Sequence, residues 1–231
     1  MKRIHALLGV QSFVAILVSI NRLGTWALAY VLPNEFLRWV DFNNMLSLPL
    51  ISVAASYLLK KTIEYESPPR ESKAHITWNL TFIVGLYLLA ASYGNHEVTN
   101  YLHQRFCETD TTSDLCRIVI FNDDEFSHWV FFTGFVMVNA AILFIQNLFP
   151  HREQITSTDL ALLALNALFL GAGVFANLGF EEVGLDLYVV AVLALISAYL
   201  LWRQGKQPMF IYYTIAYWFG LIGSLIAQAL R

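Results

Sequence analysis

The sequence predicts an all-α fold, a polytopic transmembrane bundle of seven helices, and two observations support this prediction. Of the 231 residues, 57% are hydrophobic and only 13% are charged, whereas a soluble domain carries charge on about one residue in four. The apolar residues also fall into blocks of roughly twenty, the length that an α-helix needs to cross a hydrocarbon core about 30 Å thick. Membrane lipids are therefore the expected surroundings of the chain.

The apolar blocks place the spans at about residues 5–31, 39–62, 75–95, 126–149, 158–180, 185–203 and 209–230. Short polar or proline-containing segments separate them, as at Pro150 and Pro208. No internal repeat and no soluble domain interrupts the series. We therefore expect a single transmembrane helical domain over residues 1–231, with residues 96–125 as its longest extramembrane loop.

The distribution of Lys and Arg predicts the orientation, because short cytoplasmic loops retain basic residues. Nine basic residues lie on the side of the N-terminus, and four lie on the other side, at Arg38, Arg105, Arg117 and Arg231. This asymmetry predicts a multi-pass protein of a plasma membrane, inner membrane or equivalent, with the N-terminus cytoplasmic and the C-terminus outside. A net charge of −3 without a basic stripe argues against nucleic acid as a partner.

The two cysteines, Cys107 and Cys116, both lie in the 96–125 loop. The predicted orientation makes this loop extracytoplasmic, and disulfides are typical of such oxidising compartments. A free buried pair is the alternative, but neither cysteine lies in an apolar run. We therefore predict a disulfide between them.

Histidines and acids follow the third span, where we expect His96, Glu97 and His103 near the outer surface. If the helix continues past the membrane, His96 and His103 share one face. They then stand about 10 Å apart along the helix axis, which is too far for both to bind one ion unless the helix breaks.

The start of the fourth span contains Asp124, Glu125 and His128. A carboxylate and an imidazole three or four residues apart on a helix converge on one point, so Asp124 and His128 are candidate metal ligands. The preceding Asp123 is explained equally well as a helix cap, because acidic side chains favour helix N-termini. Capping does not explain a histidine one turn into the span.

Other polar residues lie near the same predicted surface. Arg22 interrupts the first span, and Asp41, Asn43 and Asn44 open the second. Arg22 and Asp41 are candidates for an ion pair, since a charge within a membrane usually faces the bundle interior with a partner. Such a pair either fastens helices together or forms the floor of a polar pocket. Glu181 follows the fifth span and is expected in a solvated turn.

Several functional classes of seven-span protein can be tested on the last span. The span count, the Asp/Asn-rich start of the second span and a histidine after the third are similar to the seven-span hydrolases that include the alkaline ceramidases and adiponectin-receptor-like proteins. Their last span carries His-x-x-x-His, whereas residues 207–231 contain no histidine, so we do not assign the chain to them. The last span also lacks the lysine of a retinal protein, and six histidines are too few for a histidine-rich membrane di-iron enzyme.

Two hypotheses from different classes remain. The first is a metal-dependent hydrolase of a lipid or lipid-like substrate, in which Asp124 and His128 with His96 or His103 bind zinc or iron. Glu97 or Glu125 would then act as the general base for ester or amide hydrolysis. The second is a non-enzymatic transporter, receptor or assembly factor that binds a solute or a partner in the same outer pocket.

Overall fold

The computed structural model describes residues 1–23, 27–65, 72–181 and 186–230, without the side chains of residues 22, 23, 180 and 181. Seven helices in these ranges are long and apolar enough to cross a membrane, which confirms the predicted all-α, multi-pass class. They are α1 (Lys2–Leu23), α2 (Trp39–Tyr65), α3 (Lys73–Cys107), α4 (Asp114–Leu148), α5 (Ser157–Ala176, continued by the turn Asn177–Glu181), α6 (Asp186–Gln204) and α7 (Pro208–Ala229).

Local sequence signals explain where several of these helices begin. The Ser72 hydroxyl accepts a hydrogen bond from the backbone N–H of His75 at 3.2 Å and caps α3. Thr156 and Asp159 form a reciprocal capping box at the start of α5. Pro208 occupies the first turn of α7, where a missing N–H costs nothing.

The first helix is shorter than the predicted span, which ran to residue 31. It ends at Leu23, and the described chain resumes at Ala27 in a turn that leads to an isolated antiparallel bridge between Tyr30 and Arg38. The backbone pairs there instead, with Val31 N–H donating to the Leu37 carbonyl at 2.8 Å and Trp39 N–H donating to the Ala29 carbonyl at 2.9 Å. This hairpin-like pairing satisfies the backbone without helix, so hydrophobicity alone overestimated the span.

The predicted 96–125 loop is mostly helical, and this is the largest correction to the sequence prediction. Helix α3 continues to Cys107 and α4 begins at Asp114, so the two helices extend beyond the predicted spans. The short connection is closed by a disulfide between Cys107 and Cys116, as predicted. We call the end of the bundle that carries this bridge the disulfide face. Which side of the membrane it occupies remains a prediction.

Removing this disulfide is expected to lower the free energy of unfolding by about 3 kcal/mol, because the bridge restricts the unfolded chain. Both sulfur-bearing residues are buried, at 1% and 3% exposure. The measurement is the thermal unfolding of the Cys107→Ser/Cys116→Ser double variant, with exposed Thr111→Ser as the loop control. The wild-type protein under reducing conditions should unfold like the double variant. Unchanged unfolding in both cases would contradict the expectation.

Four π-helical turns occur in the described residues, and all lie at the disulfide face: Asn43–Ser47, His103–Cys107, Phe121–Phe126 and Asn177–Glu181. Such wide turns are rare and occur frequently at functional sites. Two of them belong to neighbouring helices, since α3 and α4 form the most extensive helix pair of the bundle. The contact between α3 and α4 at this face is therefore the expected position of a functional site.

Small residues allow the closest helix contacts. A Cβ atom added at Gly134 of α4 would lie 2.8 Å from the Gly85 carbonyl oxygen of α3. A Cβ added at Gly171 of α5 would lie 2.9 Å from the Ala216 carbonyl oxygen of α7. Backbones approach this closely in membrane bundles where small residues face each other. By contrast, a Cβ at Gly173 would meet nothing within 4 Å.

Candidate metal centre

The centre of the candidate site is Asp123 of α4, whose side chain is only 1% exposed. One carboxylate oxygen accepts a hydrogen bond from Nδ1 of His96 at 2.9 Å. The other oxygen accepts one from Nδ1 of His103, also at 2.9 Å. The Asn100 amide adds a longer contact of 3.4 Å to the second oxygen. A buried carboxylate is thus shared by two imidazoles, and we call these four residues with Asp124 the His–Asp cluster.

The helical periodicity of α3 explains why these partners converge. His96, Asn100 and His103 are spaced by four and three residues, so they lie on one face of the helix. The π-helical turn of α3 begins at His103. Asp123 lies within the π-helical turn Phe121–Phe126 of α4, which faces this stretch of α3.

Hydrogen bonds between α3 and α4 hold the cluster in register. The Ser127 hydroxyl donates to the Asp123 carbonyl oxygen at 2.5 Å. The Ser92 hydroxyl donates in turn to the Ser127 carbonyl oxygen at 2.8 Å. The amide of Asn95 donates to the Asn122 carbonyl oxygen at 2.9 Å. The Ser92 and Asn95 side chains bond the backbone of the neighbouring helix, whereas the Ser127 bond stays within α4. The first two therefore fix the position of Asp123 relative to the two histidines.

The interpretation of Asp123 as a helix cap is wrong, because α4 begins nine positions earlier, where Ser113 provides the cap. The helix does run through Asp123, and the carboxylate points at α3. The predicted separation of His96 and His103, which is too large for both to bind one ion, leaves room for a carboxylate between them. Asp123 lies between them and reaches one ring with each oxygen. The signal that could have identified this residue is the shared face of His96, Asn100 and His103, which requires a partner on another helix.

Three groups of the cluster could hold a metal ion. His103, Asp123 and Asp124 each offer one ligand atom, and these three atoms lie within 4.8 Å of one another. Nδ1 of His103 is 3.9 Å from Oδ1 of Asp124, whose side chain is 56% exposed. The group is therefore closed on the side of Asp123 and open to solvent on the side of Asp124.

The other predicted site residues lie at different distances from this group. The His128 ring packs edge-on against the His96 ring, with centroids 5.1 Å apart. Glu97 is buried but lines a separate cavity, which Asp41 also lines. Glu125 is exposed on the surface of α4. Of the two predicted general bases, Glu97 therefore faces another part of the protein and Glu125 faces away from the protein interior.

A second polar group lies at the start of α2, where the Arg38 guanidinium donates two hydrogen bonds of 2.8 Å to the buried Asp41 carboxylate. This hydrogen bonding raises the pKa of the Arg38 guanidinium above its usual value. Arg38 also donates to Gln104 of α3 at 2.8 Å. Nearby, the Asn21 amide donates to Asn44 at 2.7 Å and joins α1 to α2. The spacing of Arg38 and Asp41, three residues apart, is a signal for this pair that the sequence interpretation missed.

The remaining predicted polar residues receive no role in the His–Asp cluster. Asn43 is half-buried in the π-helical turn Asn43–Ser47. The predicted ion pair between Arg22 and Asp41 depends on the Arg22 side chain, which lies outside the described residues, as does the side chain of Glu181. The Arg22–Asp41 ion pair and the solvated turn at Glu181 therefore remain predictions.

The arrangement of the cluster allows two kinds of chemistry. A buried carboxylate between two imidazoles can fix their tautomers, and it can pass a proton between them. An imidazole with two carboxylates can also bind a cation. Comparison with known proteins offers no precedent for either, since the chain matches no known protein family, no curated protein and no solved structure.

Proposed function

We propose that the His–Asp cluster binds one divalent transition metal through His103, Asp123 and Asp124. We further propose that this centre hydrolyses an ester or amide bond in a lipid or lipid-like substrate. The observation that carries the proposal is the convergence of the three potential ligand atoms within 4.8 Å. One imidazole and two carboxylates form a mixed nitrogen and oxygen set of the kind that zinc and iron accept.

The distances in the cluster fit such an ion. Ligands about 2.1 Å from a tetrahedral zinc lie about 3.4 Å from one another. Nδ1 of His103 is 2.9 Å from the nearer oxygen of Asp123 and 3.9 Å from that of Asp124. These two separations lie on either side of that value, and the third pair, Asp123 and Asp124, lies within 4.8 Å. A three-ligand site with one exposed side leaves a position for water, as in catalytic zinc centres.

When bound, zinc would lower the pKa of a coordinated water towards 7 and polarise the substrate carbonyl. The residue of this chain best placed to move a proton is His96. Because its Nδ1 donates to the ionised Asp123, a neutral His96 carries its lone pair on Nε2. That atom can accept a proton, and Asp123 keeps the ring in this orientation. His96 thereby replaces the predicted bases Glu97 and Glu125.

The alternative is a proton-coupled transporter that binds no metal. It is favoured by the same shared carboxylate, because ionisable groups within membrane bundles frequently form proton relays. In this reading His96, Asp123 and His103 pass a proton along the face of α3. Metal content separates the two functions, since a relay needs only the protein's own residues.

The metal-binding half of the proposal is tested by metal analysis of the purified full-length protein. We expect about one zinc or iron per chain, and less than about a tenth of that in His103→Ala, because losing one of three ligands weakens binding by orders of magnitude. Asp114→Asn is the matched control, since Asp114 lies in the same helix with its side chain 98% exposed. A wild-type protein that keeps its fold but retains no metal would contradict the proposal.

The catalytic half is tested with His96→Gln and a simple ester such as p-nitrophenyl octanoate. We expect this variant to retain its metal and to lose about 10²–10⁴-fold in kcat, the usual contribution of a general base. Glu125→Gln should retain both properties, because Glu125 is exposed. Full activity of His96→Gln together with loss of activity in Glu125→Gln would reverse the assignment.

A further inference from the structure

A partly open cavity of about 360 Å³ lies between α1, α2, α3, α4, α5 and α7, and some of its lining residues, such as Ala15 and Gly173, are exposed. Packed protein interiors contain few voids larger than a water molecule. This volume falls instead in the range of ligand pockets, about 300–1,000 Å³. The cavity is therefore large enough to hold a ligand, and its walls and shape indicate which kind.

Several polar side chains in the walls already have hydrogen-bond partners. The side-chain amide of Gln11 donates to the Ser56 hydroxyl at 2.7 Å, and the Ser52 hydroxyl donates to the side-chain oxygen Oε1 of Gln11 at 2.6 Å. On the opposite wall, the Tyr213 hydroxyl donates to Asn139 at 2.9 Å. The rest of the lining is mostly aliphatic and aromatic. Such walls favour an occupant that is hydrocarbon along its length, since it makes no demand for hydrogen bonds.

The cavity is long and narrow. Its lining runs from Leu8 to Ser19 on α1 and from Phe131 to Ile142 on α4, which is about 16 Å at 1.5 Å per residue. A volume of about 360 Å³ over that length gives a mean cross-section of about 22 Å². This mean cross-section is large enough for one extended hydrocarbon chain.

One end of the cavity lies next to the His–Asp cluster. Tyr93 lines the cavity and precedes His96 by one helical turn, while Phe131 lines it and follows His128 by one turn. The Tyr93 and Phe131 rings pack edge to face, with centroids 5.6 Å apart. A chain in the cavity would therefore bring its end group to within about one turn, roughly 5 Å, of His96, the member of the cluster nearest to the cavity along α3.

We propose that the cavity binds the single unbranched hydrocarbon chain of an amphiphile whose polar end lies at the His–Asp cluster. The position of the polar end rests on the proposed function. Binding of the chain itself is measured independently of metal and of hydrolysis. The inference narrows the substrate class from lipids in general to those that can present one chain alone.

Gly173 provides a way to fill the cavity without disturbing its walls. It lines the cavity, and a Cβ added there would meet nothing within 4 Å. The Phe side chain of Gly173→Phe should therefore occupy the space of the hydrocarbon chain. Ala15→Phe fills the cavity from α1, on a different wall. Gly9→Phe is the matched control, because Gly9 also has open space around it but lies outside the lining.

The experiment uses a palmitic acid analogue with a diazirine in the middle of its chain, incorporated into phosphatidylcholine vesicles that contain the full-length protein. After illumination, we expect labelled peptides from the cavity-lining stretches of α2 and α5. Labelling of these peptides should fall by about tenfold in Gly173→Phe and in Ala15→Phe, because an aromatic ring and the chain cannot share the space. Gly9→Phe should label like the wild-type protein.

The outcomes distinguish binding of the hydrocarbon chain from binding of the metal. Wild-type labelling confined to lipid-facing residues, or labelling unaffected by both cavity variants, would overturn the inference. Metal content is measured on the same samples, and the cavity variants should retain the wild-type value. Loss of chain labelling with metal retained indicates a failure of chain binding only. Absence of metal with normal chain labelling refutes the proposed metal centre and leaves the chain site in place.

Discussion

Replacing Asp123 with alanine is expected to abolish metal binding and to lower the free energy of unfolding by about 3 kcal/mol, the worth of two hydrogen bonds to a charged group. Asp123 is completely buried and accepts hydrogen bonds from two histidines. Its removal leaves both Nδ1 atoms without their acceptor at the contact between α3 and α4. The measurements are metal content and thermal unfolding of the purified protein.

Asp124→Ala is the informative comparison, since this neighbouring side chain is 56% exposed. It should weaken metal binding because a ligand is lost. It should change the free energy of unfolding by less than about 0.5 kcal/mol, as is usual for surface positions. Equal destabilisation by the two variants would mean that the shared carboxylate does not hold the helices together.

Replacing Arg38 with methionine is expected to cost about 3–5 kcal/mol of stability, because it leaves a buried carboxylate without its cation. Asp41 is 2% exposed, and Arg38 supplies two hydrogen bonds of 2.8 Å to it. The stability of Arg38→Lys should lie between that of the wild-type protein and that of Arg38→Met, since lysine keeps the charge but loses the two parallel hydrogen bonds. The stability of the wild-type protein, Arg38→Met and Arg38→Lys is measured by thermal unfolding of the purified proteins.

The Arg38→Met/Asp41→Leu double variant supplies the control. Replacing both members of a buried ion pair with apolar residues is frequently neutral. We therefore expect the double variant to recover most of the stability that Arg38→Met loses. A double variant as unstable as the single one would instead locate the lost stability in another contact, such as the bond from Arg38 to Gln104.

The sequence was sufficient for the class of fold, because burial in lipid requires long apolar helices and these leave a strong local pattern. It was insufficient for the helix ends at the disulfide face. There the polar residues of α3 and α4 read as a loop, yet they remain helical because they bond across to the other helix, as Asn95 does to Asn122. A hydropathy value is assigned to each residue by itself, so it contains no information about such cross-helix pairs.

The candidate site, too, was predictable only in part. His103 and Asp124 were predicted as ligands from their residue types, and the structure brings them into one group. The central role of Asp123 was missed, because it depends on the register between two helices, which periodicity along one helix does not specify. The prediction for His96 and His103 considered only a shared ion, and not a third residue that reaches both rings.

The disulfide and the His–Asp cluster lie on the same two consecutive helices, and this position determines when they can form during synthesis. Every residue of the cluster lies between His96 and Asp124, on two consecutive helices whose ends the Cys107–Cys116 bridge joins. Synthesis proceeds from the N-terminus, so this hairpin is complete before α5, α6 and α7 leave the ribosome. Its polar contacts can form while the later helices are still absent. The cluster is thus a local product of one helical hairpin, and α5 and α7 later complete the cavity beside a site already assembled.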